Sequence, residues 1–191
     1  MKLKRLCVFC GSSTGKHPEY INQAKQLGEF LAKRGIELIY GGGNIGIMGE
    51  VSRAVLENGG HSIGVIPKKI FERVEHVELT ELFVVEDMHE RKSKMYELAD
   101  GFIALPGGIG TLEELAEVMT WYQIGYHNKP IALFNINQYY DSFVSLLQHM
   151  VDEGFLNGEY VNSLIVEDHP KALLDEMERH EAEFVDKWSK Q

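Results

Sequence analysis

Two patterns of apolar residues alternate along the chain. Short, nearly unbroken apolar runs at 5–10, 36–40, 61–66, 82–85, 101–105, 130–134 and 164–166 have the length of buried strands. Between them, segments at 18–34, 47–58, 89–99, 112–123, 140–153 and 170–187 repeat their apolar residues at helical spacing. Strand–helix alternation from end to end predicts an α/β fold: a doubly wound, mostly parallel sheet with helices on both faces, of Rossmann-like type. Ligands then bind outside the carboxyl ends of the strands. No linker, repeat or low-complexity stretch divides the chain, so 1–191 reads as one domain. The least regular stretch is 67–80 (PKKIFERVEHVELT), charged and without clear periodicity, which predicts a mobile loop near the site.

Composition narrows the partners. The 191 residues are 44% hydrophobic, enough for a substantial core, and carry a formal net charge of −10. That acidic balance excludes non-specific nucleic-acid binding, which needs a basic face. The apolar run before Gly11 is too short for a signal peptide or a membrane span, which predicts a cytoplasmic protein without a membrane partner. Cys7 and Cys10 spell CxxC, yet on a strand residues three apart point to opposite faces, and no second CxxC completes a zinc site. They are expected to be buried thiols. The eight histidines lack ligand spacing, so neither a metal nor a cofactor is expected.

Chemistry concentrates in LPGGIGTLEE, residues 105–114. Gly107, Gly108 and Gly110 fall between a strand and a helix, where the backbone can approach a ligand closely and free helix amides favour phosphate. Thr111 is expected to cap that helix. Thr111 followed by Glu114 is also the signature of a capping box, in which the glutamate closes back on the cap and does no chemistry. Glu113, Glu114 and Glu117, however, supply more negative charge than one capping box needs.

Two further loops reach the same sheet edge. CGSSTGK, 10–16, offers Gly11 and Ser12, and GGGNIGIMG, 41–49, contains GxGxxG as Gly41, Gly43 and Gly46. A dinucleotide site would need an acidic residue at the end of the next strand, which instead reads Ile66, Pro67, Lys68, Lys69. An NADP reading could use the lysines but has no accompanying proton-transfer constellation. DMHERK, 87–92, opens a helix after a strand. In isolation its Arg91–Lys92 pair is a solvated basic turn; placed before the PGGIGT strand, it can aim Arg91 at the cleft, where a guanidinium fork suits phosphate or a carboxylate.

GGGNIGIMG, MHERK and PGGIGTLEE, in this order and spacing, resemble the LONELY GUY (LOG) family of cytokinin riboside 5′-monophosphate phosphoribohydrolases, long mislabelled as lysine decarboxylases. The resemblance runs from FCGSS through the helix with Met119, Thr120 and Trp121 to NKPIALFN and YYDS. It implies Arg91 and Glu114 as the catalytic pair, and substrate contacts from Lys92, from Gly108, Ile109, Gly110, Thr111, Leu112 and Glu113, and from Thr120. Gly11, Ser12, Gly43 and Met88, in the converging loops and motifs, complete the candidate substrate-binding set. An acidic substrate contact after the third strand falls on Glu72, Glu75 or Glu78.

The reaction implied is water plus a purine nucleoside 5′-monophosphate, often N6-modified, giving free base and ribose 5-phosphate. Cleaving an N-glycosidic bond builds positive charge on the ribose, which Glu114 would stabilise near C1′, while the glycine loops and Thr111 hold the 5′-phosphate. Lysine decarboxylation is rejected, because no lysine sits in a recognisable pyridoxal phosphate setting. The alternative from another class is a nucleotide or molybdenum-cofactor carrier sharing the PGGxGT loop, which would not need Arg91 and Glu114 together. The resemblance also implies a homodimer. Trp121, Tyr122, Ile124 and Tyr126 offer either partner surface or ordinary core, and Phe184 and Trp188 are expected to anchor the C-terminal helix.

Overall fold

The computed structural model describes residues 3–73 and 79–180. Strands form where the apolar runs lie: β1 Arg5–Phe9, β2 Glu37–Tyr40, β3 Ser62–Pro67, β4 Glu81–Val85, β5 Gly101–Ala104, β6 Ile131–Phe134 and β7 Ile165–Glu167. All pair in parallel, in the order β4-β3-β2-β1-β5-β6-β7. The chain builds outward from β1 to β4, then returns to lay β5 on the other side of β1. The order reverses between β1 and β5, and a crevice opens there at the carboxyl edge.

Helices α1 Pro18–Arg34, α2 Gly46–Glu57, α4 Met88–Leu98, α5 Ile109–Gln123, α6 Asp141–Asp152 and α8 Pro170–Arg179 match the periodic segments; α3 Lys68–Phe71 and α7 Gly158–Asn162 are shorter. Successive strand residues serve opposite faces. Leu6, Val8, Leu38 and Tyr40 pack with Leu27 and Leu31 of α1, Val51 and Val55 of α2 and Leu173 of α8. Cys7, Phe9 and Ile39 pack instead with Met95 of α4, Leu115 and Val118 of α5 and Leu147 of α6. Apolar contact on both faces is why the strands read as continuous runs. Cys7 and Cys10 lie in opposite layers as expected, both buried, and burial pushes both thiols up from their ordinary range. On the first layer α1 and α2 cross closely at Gly28, where a side chain would meet the Val51 carbonyl and the Ala54 methyl.

Three expectations change. α5 starts at Ile109, not Leu112, because Gly108 enters in extended conformation and acts as the N-cap residue without a side-chain bond. α8 stops at Arg179, with His180 out of helical conformation; Phe184 and Trp188 lie outside the described residues. Within 67–80, Lys68–Phe71 is a helical turn and Thr80 bonds back to Ser62, while 74–78, and with them Glu75 and Glu78, lie outside the described residues. No helix among the described residues is long and apolar enough to cross a membrane.

The turn from α5 to β6 is held by His127, ringed by Tyr96, Phe102 and Tyr122 at 5.4–5.7 Å. Its Nε2 donates to the Val118 carbonyl (2.8 Å) and its Nδ1 accepts from the Lys129 amide (3.1 Å), so the partners select the neutral tautomer. Burial, reinforced by the Lys129 charge, lowers its pKa from 6.5 to about 4. The folded protein therefore resists a proton that the unfolded chain accepts, and stability falls as pH drops from about 6.5 towards 4. Urea midpoints at pH 7 and pH 5 check this: the wild-type loss should shrink in His127→Gln.

Candidate active site

The crevice between β1 and β5 is lined by backbone. The Gly11 amide donates to the Pro106 carbonyl (3.1 Å), and the Met48 and Ile47 amides donate to the carbonyls of Gly11 and Ser13 (3.2 and 3.3 Å). The β1–α1 loop is thus clamped between the β2–α2 and β5–α5 turns. Gly46, at φ 61°, lies so close to the Ser12–Ser13 backbone that no side chain fits. These turns enclose a cavity of about 320 Å³ bordered by Gly11, Ser12, Ser13, Gly107, Gly108, Tyr20 and Tyr139.

α5 begins at the rim of this cavity. Thr111 is not its cap: it is the third helical residue, buried, with Oγ1 packed against the Gly107 Cα. Helix bonding starts with the Leu112 amide donating to the Gly108 carbonyl. With no side-chain cap, the preceding amides keep the anion-binding character of a helix start. The capping-box reading of Glu114 also fails, because its carboxylate turns to another helix.

That partner is Arg91. α4 is started by Asp87, whose carboxylate accepts from the His89 and Glu90 amides (2.8 and 2.9 Å). The Glu90 amide is the leading cause that holds this carboxyl below its ordinary range. One turn on, Arg91 Nε donates to the Val65 carbonyl (3.1 Å) at the carboxyl half of β3, and Nη1 donates to Glu114 Oε1 (2.5 Å). Nη2 lies against Gly41, leaving no room there for a side chain. Arg91 is buried and Glu114 mostly so, their side chains 9% and 11% exposed. Breaking such a pair strands a charge away from water.

Lys92 faces the other way. Its ammonium reaches Glu113 (2.5 Å) and Glu117 (2.9 Å), and the Glu113 bond raises its pKa. Two cations thus tie down three carboxylates across the α4–α5 seam. Among the described residues no group of His, Cys, Asp or Glu is arranged to hold a metal.

The family model described as "Possible lysine decarboxylase" matches residues 48–177. The phosphoribohydrolase LOG7 of Arabidopsis thaliana, which acts on cytokinin riboside 5′-monophosphate, is 47% identical over 99% of this chain and 88% of its own length. The rice enzyme LOG, of the same name, is 46% identical over 96% of this chain and 76% of its own. The chain belongs to the LOG family. Solved structures show how widely this LOG-family fold is shared. TM1055 is 22% identical, with a TM-score of 0.71 over 93% of this chain and 99% of its own. The molybdenum cofactor carrier protein of Chlamydomonas reinhardtii is 21% identical, with a TM-score of 0.68 over 94% of this chain and all of its own.

In this LOG-family chain the sequence-derived candidates separate into groups. Gly11, Ser12 and Gly108 border the cavity, Thr111 packs beneath it, and Arg91 and Glu114 meet beside Gly41. Met88 and Ile109, first residues of α4 and α5, are exposed, Ile109 at 81%; Gly110 is open, Gly43 rests on the Met48 sulfur, and Leu112 is half-buried in the second layer. Lys92 and Glu113 are spent on each other, and Glu72 ends α3 on the surface. Thr120 lies about 16 Å along α5 from Ile109, exposed and bonded to its own helix at Ala116, so it does not join the others within one chain. The residue types alone did not single out Tyr20 and Tyr139, although Tyr139 opens the YYDS segment.

Because the Arg91–Glu114 pair is largely shielded from water, Arg91→Ala should lower the unfolding free energy by about 3 kcal/mol, and replacing both partners with methionine should recover most of that loss. Urea titration of single and double variants measures it; an Arg91→Ala protein as stable as wild type would contradict the geometry.

Proposed function

We propose that the chain hydrolyses the N-glycosidic bond of purine nucleoside 5′-monophosphates, N6-modified ones included, releasing free base and ribose 5-phosphate, with Arg91 and Glu114 as its catalytic residues. The observation that carries this reading is a carboxylate only 11% exposed and held by arginine, on the same helix, α5, whose uncapped start borders a glycine-rich cavity.

The 5′-phosphate sits on the amides at the start of α5, with Gly11, Ser12 and Gly108 around it. Anchoring this non-reacting end uses remote binding energy to fix the ribose. As the bond from C1′ to the base lengthens, positive charge grows on the sugar. The Glu114 carboxylate, preorganised by Arg91, stabilises that charge more than it stabilises the neutral ground state. Water adds its hydroxyl to C1′, and its proton balances the departing base. The oxygen of Glu114 not bound to Arg91 is suited to orient that water. Gly43, Met88, Ile109, Gly110 and Leu112 supply the remaining rim contacts, with Lys92 and Glu113 acting as a tied pair that braces the seam. A passive phosphate carrier of the same fold would need the glycine loops but no acid held by arginine.

In this reading residues 1–191 are one catalytic domain of a cytoplasmic homodimer. Thr120 is remote from its own chain's glycine loops, which suits an arrangement where α5 of one protomer borders the site of the other. Tyr126, just beyond the end of α5, is exposed as well. Sedimentation equilibrium should give twice the 21.7 kDa chain mass, and a monomer at micromolar concentration would remove this part of the reading.

The activity is tested by following free base and ribose 5-phosphate from AMP and N6-isopentenyl-AMP. Wild type should release both products. Glu114→Gln should lose at least ~100-fold in kcat while still binding nucleotide, as expected when one preorganised charge is removed from a transition state. A folded wild type that binds AMP but releases no base from either nucleotide would sink the proposal.

A further inference from the structure

The segment that follows β6 is built in an uncommon way. Asn137 and Gln138 both adopt left-handed backbone angles (φ 53° and 59°), a conformation that side chains other than glycine rarely take in succession. Asn135 holds the bend from both ends: its amide donates to the Glu167 carbonyl (2.8 Å), and its side chain accepts from the Tyr140 amide (2.7 Å) and donates to Asp141 (2.8 Å). Such conformations persist only when their surroundings hold them, and they cluster where a side chain must be delivered to a site.

Two adjacent tyrosines are delivered here. Tyr140 Oη donates to the Leu105 carbonyl (2.6 Å) and Tyr139 Oη donates to the Gly107 carbonyl (2.5 Å). The carbonyl between them, that of Pro106, accepts from the Gly11 amide. Three consecutive carbonyls leading into α5 are therefore each engaged by a donor from elsewhere in the chain. A bare carbonyl oxygen near the cavity would repel an anion, so its engagement matters more than its share of stability.

The two tyrosines differ in surroundings. Tyr140 is fully buried and belongs to the second core layer. Tyr139 is 42% exposed and forms part of the cavity wall, where its ring meets that of Tyr20 edge-on at 6.0 Å. In a planar trans peptide the carbonyl and the following N–H point in opposite directions. Tying the Gly107 oxygen therefore fixes the Gly108 N–H. Tying the Leu105 oxygen fixes no N–H, because Pro106 follows it.

We infer that Tyr139 is a positioning residue for the substrate phosphate: its hydroxyl ties down the Gly107 carbonyl, so that the turn meets an anion with N–H groups rather than a bare oxygen. The inference rests on the proposed phosphate site, and it deepens that reading by naming what orients the site. Tyr139 touches no reacting atom and acts through the peptide it holds.

The test compares wild type, Tyr139→Phe and Tyr140→Phe by calorimetric titration with ribose 5-phosphate and by steady-state kinetics with AMP. Tyr139→Phe keeps the ring contacts, so its melting temperature should stay within about 3 °C of wild type. Its affinity for ribose 5-phosphate should fall about tenfold, and KM for AMP should rise by a similar factor with kcat within about threefold. Tyr140→Phe should melt lower yet bind ribose 5-phosphate within about twofold of wild type. Unchanged ribose 5-phosphate affinity in Tyr139→Phe overturns the inference, as does an equal loss in both variants, or a Tyr139→Phe protein without a cooperative melt. If wild type binds ribose 5-phosphate but hydrolyses no nucleotide, the proposed reaction fails while the titration still judges Tyr139. If wild type does not bind ribose 5-phosphate, the inference fails, while base release from AMP still judges the reaction.

Discussion

The Arg91–Glu114 ion pair joins helices from either side of the strand reversal, and the arrangement of the site depends on it. Arg91 comes from the helix after β4, at one edge of the sheet, and Glu114 from the helix after β5, beyond β1. Their contact, with the Val65 carbonyl as a third partner, draws α4 and α5 together over the carboxyl ends of the intervening strands. A buried pair is a poor way to gain stability, because desolvation consumes most of the Coulombic gain. In the proposed reaction its value lies in placing a carboxylate, already oriented, where positive charge develops.

Close packing of backbone around that pair makes the rest of the site. Gly41 leaves room for the guanidinium, Gly46 for the Ser12–Ser13 backbone, and Gly107 for the Thr111 hydroxyl. Each glycine here removes a side chain so that another group can approach. The result is a cavity bordered by main chain together with Tyr20 and Tyr139, where in the proposed reading amide dipoles receive an anion without long basic side chains. That reconciles phosphate chemistry with a chain of net charge −10.

The fold was legible because both faces of the sheet are covered, so strands appear as apolar runs and helices as periodic segments. Helix ends were less so. Thr111 and Glu114 have the spacing of a capping box, but the extended backbone at Gly108 starts α5 earlier, and only the folded chain reveals the competing bond to Arg91. α7, five residues long, carries no measurable period. The pairing of Arg91 with Glu114 came from the family resemblance, since no local rule links residues 23 positions apart. The divergence of Lys92 from Arg91 follows from their adjacency on a helix, whereas its capture by Glu113 and Glu117 depends on how α4 and α5 dock. Tyr139 stayed hidden because its placement depends on a left-handed Gln138, which the residue type does not announce.

The decisive measurement is a crystal structure of the protein with ribose 5-phosphate bound. The phosphate should lie on the amides at the start of α5 and C1′ within about 3.5 Å of a Glu114 carboxylate oxygen, the separation of a reacting geometry. A phosphate bound elsewhere, or a C1′ turned away from Glu114 with the Arg91 pair intact, would contradict the proposed site.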